Sequence, residues 1–257
     1  MTVGMKSEFD AGERIYVGKT TNNSTVMQHI ARYEFALGLV GESGIVVDAA
    51  CGSGYGSQML ASRAQYVVGL DISQNALNFA VEHYRGSRLS FLRADLDQGL
   101  PLRSGVVDDL VSFETIEHVS SPELLISEYS RALRQGGHLI LSTPDRRVYS
   151  DLSGHSNPFH RAELTRGQLV DLVQLHFEIE TMYGQVRWTG SRLRERIKRA
   201  IKHRLPTGVL GTVVAANAFM RHLGGGASPV ETEFSIKPIF ATDSELYFFM
   251  VIVARKP

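Results

Sequence analysis

Apolar and polar positions along this chain follow two periods that take turns. Short runs dense in β-branched and aromatic residues, "GIVVDA", "QYVVGLD", "RLSFLRAD", "VVDDLVSF" and "GHLILST", read as strands. Between them, "GSQMLASRA", "SQNALNFAVEHY" and "SPELLISEYSRALRQGG" repeat apolar residues at helical spacing, the last with a Ser-Pro start and a Gly-Gly stop. Strict alternation of this kind predicts a parallel sheet with helices on both faces. Upstream, "TVMQHIARYEFALGLV" is patterned as a helix able to cover one end of the sheet. Downstream come a helix in "ELTRGQLVDLVQLHF", a strand in "EIETMYGQV" and the most strand-like run of all, "ELYFFMVIVARK". The stretch between the last two strands breaks the alternation and reads as an insertion.

Composition narrows the class. The 257 residues, 43% of them hydrophobic, suffice for one sizeable core. Lys plus Arg and Asp plus Glu are both 27, so no overall field recruits nucleic acid or membrane, although a local patch remains open. The single cysteine, Cys51, excludes an internal disulfide framework and suits a reducing compartment. No apolar run is long enough to span a bilayer, and the first residues lack the apolar centre of a signal peptide, so a cytoplasmic location is expected.

The first chemical signal is "VVDAACGSGYGS". A strand runs into Asp48, and Gly52, Gly54 and Gly56 form a tight turn before a helix. In an open α/β sheet such a turn lets backbone approach a ligand and points a helix N-terminus at it. Dinucleotide binding, phosphate binding and a merely tight turn all fit this spacing. Asp71 ends the next strand about twenty residues on, where a carboxylate can accept hydrogen bonds from both ribose hydroxyls. Asp95 follows the third strand.

With these motifs in order, the sequence resembles the class I S-adenosylmethionine-dependent methyltransferases over roughly residues 30–185 plus the final strand. The resemblance implies a Rossmann-like, doubly wound sheet of seven strands, mostly parallel with an antiparallel last strand. It implies S-adenosylmethionine as cofactor, with Asp48, Ala50, Cys51, Gly52 and Gly54 cradling the methionine part, Asp71 holding the ribose and Ile72 also in contact with the cofactor. Asp95 and Leu96 would flank the adenine, and Phe113 would lie near the amino-acid end. One position departs from the family pattern: Ala50 stands where glycine is usual. Cys51 has no identifiable base beside it, which favours packing over a nucleophilic role.

"SFETIEHV" puts Glu114, Glu117 and His118 where the fourth strand leaves the core, beside the transferable methyl in this fold. Helix capping, general-base catalysis by His118 with Glu117, and a divalent-metal site all fit those residue types. Further on, "NPFHRAELTRGQL" supplies a fourth candidate. The Glu-x-x-Glu-His and later His-x-x-Glu-x-Thr-Arg spacing resembles metal-dependent 2′-O-methyltransferases of small RNAs, and more loosely the ubiquinone-pathway O-methyltransferases. That resemblance implies Glu114, Glu117, His118 and His160 as ligands of a divalent metal such as Mg or Mn, with His155 a weaker alternative.

The division expected is a helical cap at 1–43, the methyltransferase core at 44–186, an insertion at 187–235 and the closing strand at 236–257. The insertion carries "RWTGSRLRERIKRAIKHRL", with eight basic residues against one acid, and Leu193, Ile197 and Ile201 on one side. That pattern suits a solvated face or a helix lying on an anionic membrane surface, and the apolar run after it suits a lid or a homo-oligomer contact. The layout, including "GERIYVGKT", "HIARYEFA" and "STPDRRVYS", resembles bacterial glycan and natural-product methyltransferases. A sugar or polysaccharide hydroxyl is therefore the expected acceptor, with RNA or a quinone as runner-up and a non-catalytic cofactor-binding partner subunit as the alternative of another class. Near-neutral total charge and the lack of an RNA-binding module weigh against nucleic acid.

Overall fold

The structure is a computed structural model, and it describes residues 23–187, 234–239 and 245–257. The basic segment expected at 187–205 lies outside these beyond Arg187, as does nearly all of the expected insertion. Helix α1 (Asn23–Leu39) leads into β1 (Ile45–Ala49), α2 (Tyr55–Leu60), β2 (Tyr66–Asp71), α3 (Gln74–His83) and β3 (Leu89–Arg93). The chain continues through β4 (Val107–Phe113), α4 (Pro122–Ala132), β5 (Leu133–Pro144), α5 (Arg166–Gln174), β6 (Glu178–Arg187), β7 (Ile236–Pro238) and β8 (Tyr247–Arg255).

One sheet orders these strands β3-β2-β1-β4-β5-β8-β6-β7. From β3 to β5 every pairing is parallel, while β8 runs antiparallel to both β5 and β6. The doubly wound, mostly parallel class expected from the sequence is thus present, with its last strand antiparallel. The count differs by one, because the final segment holds two strands: β7 adds three residues at the β6 edge.

Local chemistry accounts for the helix starts. Ser73 and Ser121 accept hydrogen bonds from Ala76 N and Leu124 N, and Pro122 opens α4 without wasting an amide. Thr165 and Gln168 close a reciprocal capping box on α5. The sequence pattern carried α4 through the Gly-Gly pair, but the helix ends at Ala132. Leu133 is fully buried and already extended, pairing with Val107, because its side chain belongs to the sheet core.

Alternation along the central strands divides the core by face. Val47, Ala49 and Leu110 pack with Leu125, Ile126, Tyr129, Leu169 and Val173 from α4 and α5. Val46, Val67, Val111 and Ile140 pack on the other face with Tyr33 and Ala36 of α1, Val40 just after it, and Leu60 of α2. Burying each such aliphatic side chain contributes about 1.5–3 kcal/mol. The chain reverses its winding between β1 and β4, and a crevice forms at the carboxyl ends of these two strands. Among the described residues, no helix is long and apolar enough to cross a membrane.

Candidate active site at the strand ends

The turn after β1 is built from left-handed backbone. Ala50, Gly52 and Gly54 have φ of 62°, 55° and 85°. A Cβ on Gly54 would lie 2.6 Å from the Ala80 Cβ and 2.8 Å from the Phe91 ring, so glycine there lets α3 and β3 close on the turn. A Cβ on Gly52 would meet nothing within 4 Å, so that side of the turn faces open space. The turn is pinned to β2: Cys51 N donates to Leu70 O at 2.8 Å, and Gly52 N donates to the Asp71 carboxylate at 2.9 Å. The other Asp71 oxygen accepts from Ser73 N at 2.8 Å.

Beneath the turn, Asp48 is fully buried and accepts from the Tyr33 hydroxyl at 3.0 Å and the Ser57 hydroxyl at 2.5 Å. Burial pushes its carboxyl up from 3.8 to about 7 against the pull of those two hydrogen bonds. Burial, with Asp48 and Asp71 nearby, also drives the Cys51 thiol far above its ordinary range. A thiolate is therefore disfavoured, in keeping with a packing role for Cys51.

The remaining residues expected at the cofactor divide. Ile72, 51% exposed directly after Asp71, offers an uncovered apolar side chain beside the crevice. Asp95 is exposed and accepts from Asp97 N at 3.1 Å. Leu96 belongs to the core on the α4 face. Phe113 is buried edge-on against Tyr33, with ring centroids 5.1 Å apart.

The two carboxylates after β4 go to different neighbours. Glu114 sits at φ 51° and accepts from the Ser142 hydroxyl at 2.8 Å. It is also paired with Arg32 of α1, whose Nη1 lies 3.1 Å away. Arg32 is fully buried, donates through Nε to Gln185 at 2.8 Å and stacks over Phe249 at 4.7 Å. Sequence reasoning did not single out Arg32. The available signal was its place in "HIARYEFA", beside Tyr33 on the stripe that continues through Ala36 to Val40.

Glu117 is fully buried, and its Oε2 accepts from the Thr143 hydroxyl at 2.9 Å. Its Oε1 has no hydrogen-bond partner among the described residues. Burial, then the charge of Glu114, pushes this carboxyl well above its usual range. One ligand atom each from Glu117, His118 and His160 fall within 4.8 Å of one another. Three of the four residues expected as metal ligands thus converge, while Glu114 is held elsewhere by Arg32 and Ser142. His155 is also outside the group, packed against Tyr149 and Phe248.

Both imidazoles are oriented from behind. His118 Nδ1 lies 3.1 Å from Phe159 O, which can only accept, so a neutral ring carries its proton there and its lone pair on Nε2. His160 Nδ1 lies 2.6 Å from Glu163, which also accepts from the Ser150 hydroxyl. Glu117 O accepts from Arg161 N at 2.7 Å and Ala162 N at 3.1 Å, which docks the His160 loop onto the strand end.

A parallel doubly wound sheet with a glycine turn after β1 and an acid ending β2 defines a nucleoside-cofactor fold of the methyltransferase type. Comparison with known proteins makes this specific. Residues 47–141 match the family model described as "Methyltransferase domain". A protein of Mycolicibacterium smegmatis named "Probable S-adenosylmethionine-dependent methyltransferase" is 32% identical over 207 residues, 74% of this chain and 77% of that one. Its counterpart by name in Mycobacterium tuberculosis is 31% identical over 203 residues, 78% of this chain and 69% of the relative. The chain belongs to the class I S-adenosylmethionine-dependent methyltransferases, and S-adenosylmethionine is its methyl donor. Among solved structures, geranyl diphosphate methyltransferase in complex with SAM superposes with a TM-score of 0.59 at 20% identity, covering 88% of this chain and 85% of that one. The [4+2]-cyclase SpnF superposes at 0.58 with 19% identity over 90% and 81% of the two chains, so the fold by itself does not fix the reaction.

Proposed function

We propose that this methyltransferase transfers its methyl group to a hydroxyl oxygen of a sugar, polysaccharide or related natural product, with a divalent cation held by Glu117, His118 and His160. The observation that carries the reading is the buried Glu117 Oε1, left without a hydrogen bond while two oriented imidazoles face it. Buried polar atoms are seldom left this way, since an unmet acceptor costs about 1–3 kcal/mol. A carboxylate and two imidazole nitrogens are a donor set that would suit a divalent transition metal, and the acceptor's oxygens could complete its ligands. Glu163 behind His160 and Phe159 O behind His118 supply the orienting contacts that metal-binding histidines ordinarily have.

The residues at the turn also fit the cofactor. The open side of Gly52 admits a ligand against backbone, Asp71 stands where a ribose diol would be held, and Ile72 gives the base an apolar surface. S-adenosylmethionine supplies an electrophilic methyl on a sulfonium sulfur. The chain's task is then to align the acceptor oxygen and remove its proton. With no cation bound, His118 Nε2, partly open to solvent, is the group placed to take that proton; with one bound, that lone pair would be a ligand, and the cation would instead lower the hydroxyl pKa so that the proton leaves to solvent.

A quinone-type phenolic acceptor is the second reading. It draws on the ubiquinone biosynthesis O-methyltransferase of Vibrio parahaemolyticus, 30% identical over 121 residues, 46% of this chain and 51% of that one. The test is transfer of labelled methyl into fractionated extract, with and without chelator, beside Mn(II) binding followed by electron paramagnetic resonance. Chelator-sensitive label in glycans, with Mn(II) affinity lost in His160→Ala, supports the proposal. Label in quinones moves the acceptor to the second reading, and Mn(II) affinity unchanged in His160→Ala removes the cation.

A further inference from the structure

A cavity of about 520 Å³ opens just past the end of β5 and is not used by anything described above. Its walls come from the end of β5, the start of β8 and the first turn of α5, including Asp145, Arg147, Thr165, Arg166, Tyr247 and Met250. Its volume falls within the range of small-ligand sites. Both ends of the His-bearing loop connect it to the catalytic cluster. Thr143, which donates to Glu117, lies two residues before Asp145, about 7 Å along the strand. Glu163, which holds His160, lies two residues before Thr165. Tyr149 donates its amide to Asp145 O at 2.7 Å and packs its ring 5.3 Å from that of His160.

The charges on these walls are unevenly spent. Glu245 also lines the cavity, but one of its oxygens is taken by Arg187 at 2.7 Å and the other by the Tyr247 hydroxyl at 2.6 Å. Asp145 is buried, and its Oδ1 accepts the backbone amide of Arg147 at 3.0 Å. The Arg147 guanidinium, by contrast, makes no hydrogen bond or close ion pair among the described residues, and it is exposed. Arg166 adds a second guanidinium at the first position of α5, where the helix end itself favours negative charge. Two planar, forked donor groups line the cavity, and both are near enough to Asp145 to pull its carboxyl down against the effect of burial, so an oxyanion with several acceptor oxygens would share them with that acid.

We infer that this cavity is an acceptor subsite that grips a carboxylate or phosphate group on the sugar to be methylated, through Arg147 and Arg166. The inference rests on the hydroxyl-acceptor reading for the identity of the ligand, but its test requires no methyl transfer. A sugar carrying its anion between the two arginines would extend along the Pro144–Tyr149 segment toward Glu117 and His118, so the subsite sets which hydroxyl reaches the methyl. Selectivity then favours an acidic sugar, such as a uronic acid or a sugar phosphate, over the neutral one.

The experiment is calorimetric or NMR titration of the full chain, with S-adenosylhomocysteine present, using glucuronate, glucose 1-phosphate and glucose. The subsite predicts that one or both anionic sugars bind about tenfold or more tighter than glucose, as expected for charge-assisted hydrogen bonds. The advantage shrinks as salt is raised, is lost in Arg147→Gln and Arg166→Gln, and is partly restored in Arg147→Lys. The ratio between glucuronate and glucose 1-phosphate tells carboxylate from phosphate. Equal binding of all three sugars, or an anion preference that survives Arg147→Gln combined with Arg166→Gln, overturns the inference. Arg147 is exposed, so its replacement leaves the fold intact, and a thermal melt checks this. Labelled methyl found on no hydroxyl would instead sink the O-methylation reading while leaving the anion preference measurable.

Discussion

The two glycines of the turn after β1 permit a test that separates cofactor contact from folding. Both have left-handed backbone, so alanine at either costs about 1–2 kcal/mol in the native state, offset by about 0.5–1 kcal/mol from a less flexible unfolded chain. For Gly52→Ala nothing further is added, because the new Cβ meets no protein atom within 4 Å. The net loss is about 1 kcal/mol, a drop in Tm of roughly 2–4 °C for a chain of this size. For Gly54→Ala the Cβ would lie 2.6 Å from Ala80 and 2.8 Å from Phe91, and over-packing of that kind adds about 1–3 kcal/mol. The space beside Gly52 is the space assigned to S-adenosylmethionine, so the same substitution is expected to weaken cofactor binding by about tenfold, or 1.4 kcal/mol. Thermal unfolding with and without S-adenosylhomocysteine reads both quantities, since a ligand at a hundred times its Kd raises stability by about 2.7 kcal/mol. Gly52→Ala should melt near wild type alone yet lose about half of the ligand-induced gain. Gly54→Ala should melt well below wild type before any ligand is added. Wild-type cofactor affinity in a folded Gly52→Ala would refute the placement of the cofactor against this turn.

Other consequences follow from the same strand ends. Ala50 has φ 62°, so Ala50→Gly relieves left-handed strain and should raise stability by about 0.5–1 kcal/mol in urea unfolding; a loss of that size would mean the methyl group's packing matters more than its backbone. Asp48 has a folded pKa of about 7 against 3.8, so its effect is absent below pH 4 and stability falls as pH rises through that window, levelling above the folded value. The loss is on the order of 4 kcal/mol, and the stability difference between wild type and Asp48→Asn should change with pH between 4 and 7; a flat difference would remove the burial argument. Arg32→Met leaves Glu114 as an uncompensated charge at the strand end and should cost about 3–5 kcal/mol, whereas Arg32→Met with Glu114→Gln should recover most of it; strict additivity in that cycle would show the pair uncoupled.

Much of this architecture could be read before any coordinates, for a definite reason. Central parallel strands are covered on both faces, so Val46–Val47, Val67–Leu70 and Leu110–Val111 are apolar runs, and the polar residues Asp48, Asp71 and Ser112 follow directly after them. In an open α/β sheet the carboxyl ends of the strands are where ligands bind, which is why Asp48, Asp71, Glu117 and His118 stood out. The short β7 left no such trace: three residues at an edge, half-buried or exposed, have no period to detect. Leu133 misled the end of α4 because its burial fits a helical stripe as well as a sheet position. Arg32 escaped notice because a cation in an amphipathic helix ordinarily faces water. Its burial depends on Gln185 and Phe249, more than 150 residues later, and no local pattern reports that.

The sequence was least able to show how Glu114 and Glu117 divide their work. Three residues apart at the end of one strand, they look interchangeable as ligands or bases. The left-handed backbone at Glu114 breaks that equivalence by turning the chain, so that one carboxylate meets Arg32 and Ser142 and the other meets Thr143 and two histidines. Two unpaired carboxylates in one crevice would raise each other's pKa and hold a proton between them. Pairing Glu114 with a buried guanidinium reduces that repulsion and leaves Glu117 as the carboxylate whose charge the histidine cluster must satisfy. A cation, or a proton on Glu117 itself, can do so: the first would leave a charged ligand, the second a neutral acid, beside the acceptor position proposed above. If Glu117 serves the reaction as proposed above, the strained residue and the buried arginine act on it only through that carboxylate, since both of their own side chains are spent on the fold.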